Sequence, residues 1–512
     1  MTQITINTLK ISIIFYLLFF TFPLLAQQVQ KAKPNWQHLD LKADGIFGIS
    51  TEKAYTQLLK GKTAVPVTVA IIDGGVDINH QELKASIWTN PNEIAGNGKD
   101  DDGNGYIDDI HGWNFDGSSK GSFHFDNKEL VRLLRSALKN DPQSAKVKDL
   151  QHQLDDKRNA LEDALKVITI QRNVLTGIKR KLGKEYPDIE EFKSYKYQTG
   201  AEAQVLVMIV NGLKTDPDFI KEFEDRYHDY NNQLNYSYNI NYDPRKGNAE
   251  YKGDFYGNGD VNGLDPSHGT HIAGIIAALP NLAKGIKGIA TNAKIMSIIA
   301  IPEGDALDQD LAKAIRYAAD NGAKIINISE SKDTSPDRKT VDEAVQYAMA
   351  KGVLIVHSAG NKGEELDAES SVFPSRTYLS GRKADAWIEV GASGPQDNEN
   401  LMAWFSNYGQ KTVDVFAPGV DIYSTYPQNS YKYESGTSMA APVVSGLAAF
   451  IWSYYPRLNA IQVKEIIMGS VVKVNHKVKN NNGGILDFSS VCISGGIINA
   501  FKALQLAERN YH

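Results

Sequence analysis

The sequence predicts an α/β protein, a doubly wound and mostly parallel sheet carrying a helical insertion. Three observations lead there. Short, nearly continuous apolar and β-branched runs alternate with helical stretches, as in parallel sheets covered on both faces. Polar residues follow several of these runs directly, where α/β sheets gather functional groups. From about 117 to 261 the alternation stops, and Leu154, Leu161, Ile168 and Leu175 repeat every seven residues among charged neighbours.

Taken in order, the chain opens with Lys10 and an apolar run, Ile11 to Ala26, broken by Ser12, Thr21 and Pro23. That run is short for a membrane span and fits a signal-peptide core with cleavage near Ala26; an uncleaved anchor is the other reading. The expectation is an exported chain, periplasmic or extracellular, with no stable membrane association once residues 1–26 are removed. Residues 27–62 form an N-terminal segment with one helix-like piece, Thr51 to Leu59. Residues 63–116 begin the main domain with Val67 to Ile72, a buried parallel strand stopped by Asp73-Gly74. Residues 117–261 are the mainly helical insertion, with the leucine-bearing helix folded back on another such as Lys128 to Leu138. Residues 262–512 complete the main domain with strands at Ala293 to Ile301, Ala323 to Ile328, Val353 to Val356, Ile388 to Val390 and Val413 to Phe416. Helices at Leu307 to Ala319 and Val341 to Ala350 lie between them.

Composition narrows the function. The 512 residues are 42% hydrophobic and 23% charged, the balance of a soluble globular protein. A net charge of −6 gives no support for nucleic-acid binding. The single cysteine, Cys492, excludes intramolecular disulfides and cysteine-cluster metal sites.

Four polar groups stand at strand ends or helix starts. Asp73 ends the first strand, His268 opens a small-residue stretch, and Asn361 follows the strand before Ser358. Ser438 sits in Gly436-Thr437-Ser438-Met439-Ala440-Ala441-Pro442, with Pro442 expected in the first turn of a helix. Each alone has an ordinary reading, as a turn acid, a packing histidine, a turn amide or a capping serine. Together they supply a carboxylate, an imidazole, an amide donor and a hydroxyl. Serine attacks only when a base takes its proton, and the imidazole needs a carboxylate to hold its tautomer. The loop Asp100-Asp101-Asp102-Gly103-Asn104 places Asp100, Asp102, Asn104 and Asp108 at calcium-loop spacing, although His111 stands where a closing Glu would be. It is either a structural calcium site or a solvated acidic loop.

The motifs Ile72-Asp73-Gly74, His268-Gly269-Thr270-His271, Gly360-Asn361 and Gly436 to Pro442 resemble those of subtilisin-like serine peptidases, as do Phe405 to Gly409 and Ala417-Pro418-Gly419. The chain order Asp, His, Ser is that of the family. The resemblance covers about residues 63–116 and 262–455. It implies that Asp73 orients, His268 is the base, Ser438 attacks and Asn361 donates to the oxyanion, with His271 packing nearby. It also implies a substrate wall at Ser329, Glu330, Ser331, Ser358 and Gly360, and protein or peptide substrates. The implied enzyme is a secreted endopeptidase working through an acyl-enzyme. Three departures accompany it. The stretch between Asp73 and His268 is far longer than the family core needs. Between Ala26 and Asp73 there is too little chain for the folded pro-domain of many relatives. Glu330-Ser331-Lys332 replaces a glycine pair, which implies a narrower, more polar pocket with Glu330 and Lys332 on one side of the strand. Two other readings are a binding protein on a disabled peptidase fold and an α/β-hydrolase esterase. The esterase reading requires the serine to come first, and here it comes last.

Overall fold

The computed structural model describes residues 31–281, 286–367 and 372–511. The signal-peptide expectation therefore lies outside the described residues. No helix among them is long and apolar enough to cross a membrane.

Nine strands of the described chain form one sheet. In chain order they are β1 (Val67–Asp73), β2 (Gly112–Asn114), β3 (Ala293–Ile299), β4 (Ile325–Ile328), β5 (Leu354–Ser358), β6 (Trp387–Ser393), β7 (Val415–Pro418), β8 (Val472–Lys473) and β9 (Gly496–Ile497). In space they run β8-β9-β7-β6-β5-β4-β1-β3-β2. All pairs are parallel except β8 with β9. The alternating side chains of β1 explain the double winding. Val69 and Ile71 enter a core with Ile272, Ile276, Val443 and Leu447, from helices Ser267–Ala277 and Thr437–Tyr454. Ala70 and Ile72 enter the opposite core with Leu311, Ile315, Val341 and Val345, from helices Asp308–Asp320 and Arg338–Ala350. Each such buried aliphatic side chain contributes about 1.5–3 kcal/mol by leaving water.

Between β2 and β3 the described chain carries helices Glu129–Asn140, Ala145–Leu182, Ile189–Ser194, Gly200–Thr215 and Phe219–Asn232. Contact density divides the chain into two units, one holding Gln171–Glu224 and the other Lys31–Ile170 with Asp225–His512. Within the larger unit, Val131 and Leu134 pack against Val147, Leu150 and Leu154, the predicted folding-back of one helix on another. Within the smaller, Arg172 pairs with Glu224 at 2.5 Å.

The chain on either side of these helices is bonded into the sheet region. Asn114 and Asn258 exchange backbone hydrogen bonds of 2.9 and 3.1 Å. Arg245 enters a buried acidic cluster, 3.2 Å from Asp116 and 2.6 Å from Asp310, and also contacts Asp126. Burial pushes the Asp116 carboxyl well above the usual range, against the pull of Arg245. Removing one partner of a buried ion cluster strands the others. Arg245→Ala should therefore lower stability by about 3–5 kcal/mol, read by urea denaturation; an unchanged midpoint would show that the cluster contributes nothing.

Candidate active site

β1 lies between β3 and β4, although the chain runs from β3 directly to β4. This reversal opens a crevice at the carboxyl ends of the strands. Asp73 ends β1, Ser329 follows β4, and Ser358 ends β5. His268 is brought there by a backbone approach that no side chain permits. A Cβ on Gly269 would stand 2.1 Å from the Gly75 carbonyl oxygen, and one on Gly75, whose φ is +129°, 2.1 Å from that of Asn262. The helix Ser267–Ala277 thus rests on the Asp73–Gly75 turn.

Across this contact His268 Nδ1 lies 2.8 Å from Asp73 Oδ2 and 3.0 Å from Oδ1. Asp73 is buried, and its Oδ1 also accepts from the Gly74 N–H at 2.8 Å. A carboxylate at Nδ1 makes that nitrogen the donor and leaves Nε2 as the basic one. Burial alone would push the imidazole pKa down. The Asp73 carboxylate outweighs it, with Glu330 and Glu434 adding to the field, and the pKa rises to about 10.

Ser438 is the second residue of Thr437–Tyr454, a helix buried from Thr437 to Ser453. It therefore sits among N–H groups without intrahelical partners, at the positive end of the helix dipole. Pro442 was expected in the first turn but stands in the second, with the helix beginning at Thr437. Its missing N–H frees the Ser438 carbonyl, which accepts instead from Ser329 Oγ at 3.2 Å. Ser438 Oγ donates to the Ser329 carbonyl at 2.9 Å, so the hydroxyl is turned towards the β4 end rather than towards His268.

Asn361 is fixed through its oxygen. Its Oδ1 accepts from the Thr437 N–H at 2.9 Å and from Thr437 Oγ1 at 2.8 Å, which leaves Nδ2 to donate elsewhere. Thr437 Oγ1 in turn accepts from the Gly360 N–H at 3.1 Å. Asn407 braces the same loop: its Nδ2 donates to the Ala359 carbonyl at 2.8 Å, and its Oδ1 accepts from Lys362 and Glu364 N–H groups. Sequence reading missed the anchoring roles of Thr437 and Asn407, although both lie in stretches it had singled out. His271 packs as expected, its Nε2 donating to the Lys432 carbonyl at 3.0 Å, and burial lowers its pKa.

Of the proposed wall, Ser329 and Ser358 are buried, Glu330 is exposed, and Ser331 is half-buried beside Gly360. Lys332 does not share the cleft with Glu330. Its Nζ turns inward to Asp308 at 2.7 Å and to the Ala306 carbonyl at 2.8 Å, because a buried ammonium must find acceptors.

The four expected ligands take different partners within the acidic loop. Asp108 accepts from the N–H groups of Gly96, Asn97 and Gly98. Asn104 is occupied by Tyr106 and Asp109. Asp100 and Asp102 instead converge with Glu93, their oxygens within 4.8 Å of one another. Glu93 Oε2 is a buried oxygen without a hydrogen-bond donor, as a cation ligand would be. Glu93 precedes the loop and carries no spacing signal, which is why the sequence alone did not find it.

A carboxylate-held imidazole, a serine at a helix N-terminus and an anchored amide, all at the carboxyl edge of a doubly wound sheet, define a serine-hydrolase type of site. Residues 66–488 match the subtilase family, and the chain belongs to it. It is 42% identical over 219 residues to a thermophilic serine proteinase of Bacillus sp. (strain AK1), covering 42% of this chain and 50% of that one. It is 39% identical over 209 residues to subtilisin DY of Bacillus licheniformis, covering 40% of this chain and 69% of the relative. Among solved structures, a protease from Pseudoalteromonas arctica shares 28% identity with a TM-score of 0.39, over 47% of this chain and 70% of that chain. The chain thus spans half the length of the first of these relatives.

If Asp73 holds the imidazolium, the NMR titration midpoint of His268 lies above the ordinary 6.5, and Asp73→Asn moves it down. Equal midpoints in the two proteins would remove Asp73 from that role. The sign follows from charge: a carboxylate stabilises the protonated ring, so neutral His268, the form able to accept a proton, accumulates only at alkaline pH.

Proposed function

We propose that the protein is an exported serine endopeptidase that hydrolyses protein or peptide substrates through Asp73, His268 and Ser438, with Asn361 as oxyanion donor. The observation that carries this reading is the His268–Asp73 pair across from a helix-start serine. Ser438 Oγ leaves the Ser329 carbonyl and turns to His268 Nε2, which takes its proton as Oγ bonds to the substrate carbonyl carbon. The carbonyl π electrons move to oxygen, where Asn361 Nδ2 and the backbone at the helix start stabilise the charge. Collapse of this adduct expels the amine, which receives the proton from Nε2 and leaves an acyl-enzyme for water to hydrolyse. Ser329, Glu330, Ser331, Ser358 and Gly360 wall the cleft, and residues 117–261 are read as an insertion into the catalytic domain. Export rests on the run Ile11 to Ala26.

Ser438→Ala should abolish casein cleavage, losing on the order of ten-thousand-fold or more in rate, while circular dichroism stays unchanged. Labelling of the wild type by a fluorophosphonate, lost in this variant, would identify the nucleophile. Undiminished cleavage by the variant would end the peptidase reading.

The same proposal includes a structural calcium ion held by Glu93, Asp100 and Asp102. Three converging carboxylates repel one another unless a cation joins them, and the donor set is hard oxygen. A cation that binds the folded state adds about 2.7 kcal/mol of stability at a hundred times its Kd. In the Ser438→Ala background, chelation should lower Tm by several degrees, and Asp102→Ala should erase the response. A melt indifferent to calcium and chelator would leave an acidic surface loop.

A further inference from the structure

Glu330 stands one residue beyond Ser329, whose backbone and hydroxyl both touch Ser438. Its own backbone is held from below by His357, whose Nε2 donates to the Glu330 carbonyl at 3.0 Å. That ring is fully buried, with Nδ1 2.7 Å from Glu389. The side chain is exposed on the cleft side. It borders a small cavity of about 20 Å³, room for little more than a water, whose lining includes Asp305, Lys332 and Phe373.

The cations that could neutralise Glu330 are committed elsewhere. Lys332 is turned into the interior with Asp308. Lys128 gives its ammonium to Asp305 at 3.0 Å and to the Gly304 carbonyl at 2.8 Å. Lys432 pairs with Glu434 at 3.1 Å. Among the described residues Glu330 has no ion pair; desolvation pushes its carboxyl up, against the opposing fields of His268 and Lys128. A carboxylate without an ion pair beside the cleft attracts a cationic side chain that lies along the surface there.

We propose that Glu330 makes the cleft select substrates with a lysine or arginine on the residue lying against the Glu330–Ser331 stretch. The selection rests on the peptidase reading above and gives that site a substrate class: polypeptides cleaved near basic residues.

The test is a panel of fluorogenic peptides that differ only in carrying arginine, norleucine or glutamate at each position before the scissile bond. Rates are compared as ratios within each variant, so that a general loss of activity cancels. The wild type should favour arginine over norleucine at one position by about fivefold at low ionic strength, the preference shrinking as salt screens the charge. Glu330→Gln should bring that ratio to about one, and Glu330→Lys should turn it towards glutamate. An arginine preference that survives both substitutions overturns the proposal, as does a wild type that cleaves norleucine peptides with no preference. If the wild type cleaves no peptide and no fluorophosphonate labels Ser438, the peptidase reading itself falls and takes this inference with it.

Discussion

The site depends on a contact between two stretches of backbone with no side chains between them. Gly269 lies against the Gly75 carbonyl closely enough that a methyl group on it would force the helix Ser267–Ala277 away from the end of β1, and one on Gly75 would meet the Asn262 carbonyl. With the helix seated, His268 Nδ1 lies 2.8 Å from the Asp73 carboxylate. The same helix is buried against Thr437–Tyr454, so the elements bearing the acid, the base and the serine share one core.

A second constraint acts on the serine through a group that is missing. Pro442 cannot donate to the Ser438 carbonyl, and a helix in a buried position cannot leave that oxygen bare. Ser329 answers it, tying the start of the helix to the end of β4. Thr437 makes the corresponding tie to Asn361, and Asn407 fixes the loop on which Asn361 stands. Ser438 and Asn361 are thus positioned by hydrogen bonds to residues from other elements, and His268 by the Asp73 carboxylate. Such preorganisation is what electrostatic stabilisation of a developing charge requires.

Departure from a family pattern proved to have two separate outcomes within three residues. Lys332 left the cleft because the interior offered it a carboxylate and a carbonyl. Glu330 remained at the surface because water solvates its charge there. Side-chain alternation along an extended strand puts residues two apart on one face, but β4 ends at Ile328, and the chain beyond it is not bound to that alternation.

The sequence by itself determined the six longer strands, since continuous apolar runs such as Val67 to Ile72 can be satisfied only inside a sheet covered on both faces. The short strands β2, β8 and β9 and the spatial order of the sheet came from the structure. The sequence also singled out Asp73, His268, Asn361 and Ser438 as candidates, because small-residue motifs around a reactive group are local and survive in linear order. The tertiary structure decided what rests on distance in space between residues far apart in the chain. It turned Asp108 to the N–H groups of Gly96 to Gly98 and brought Glu93 to Asp100 and Asp102. It carried Arg245 from beyond the helices to Asp116. It also set the Ser438 hydroxyl against the Ser329 carbonyl. Spacing in sequence encodes which side chains share one face of one element; which elements meet depends on how the buried surfaces of the whole chain fit together.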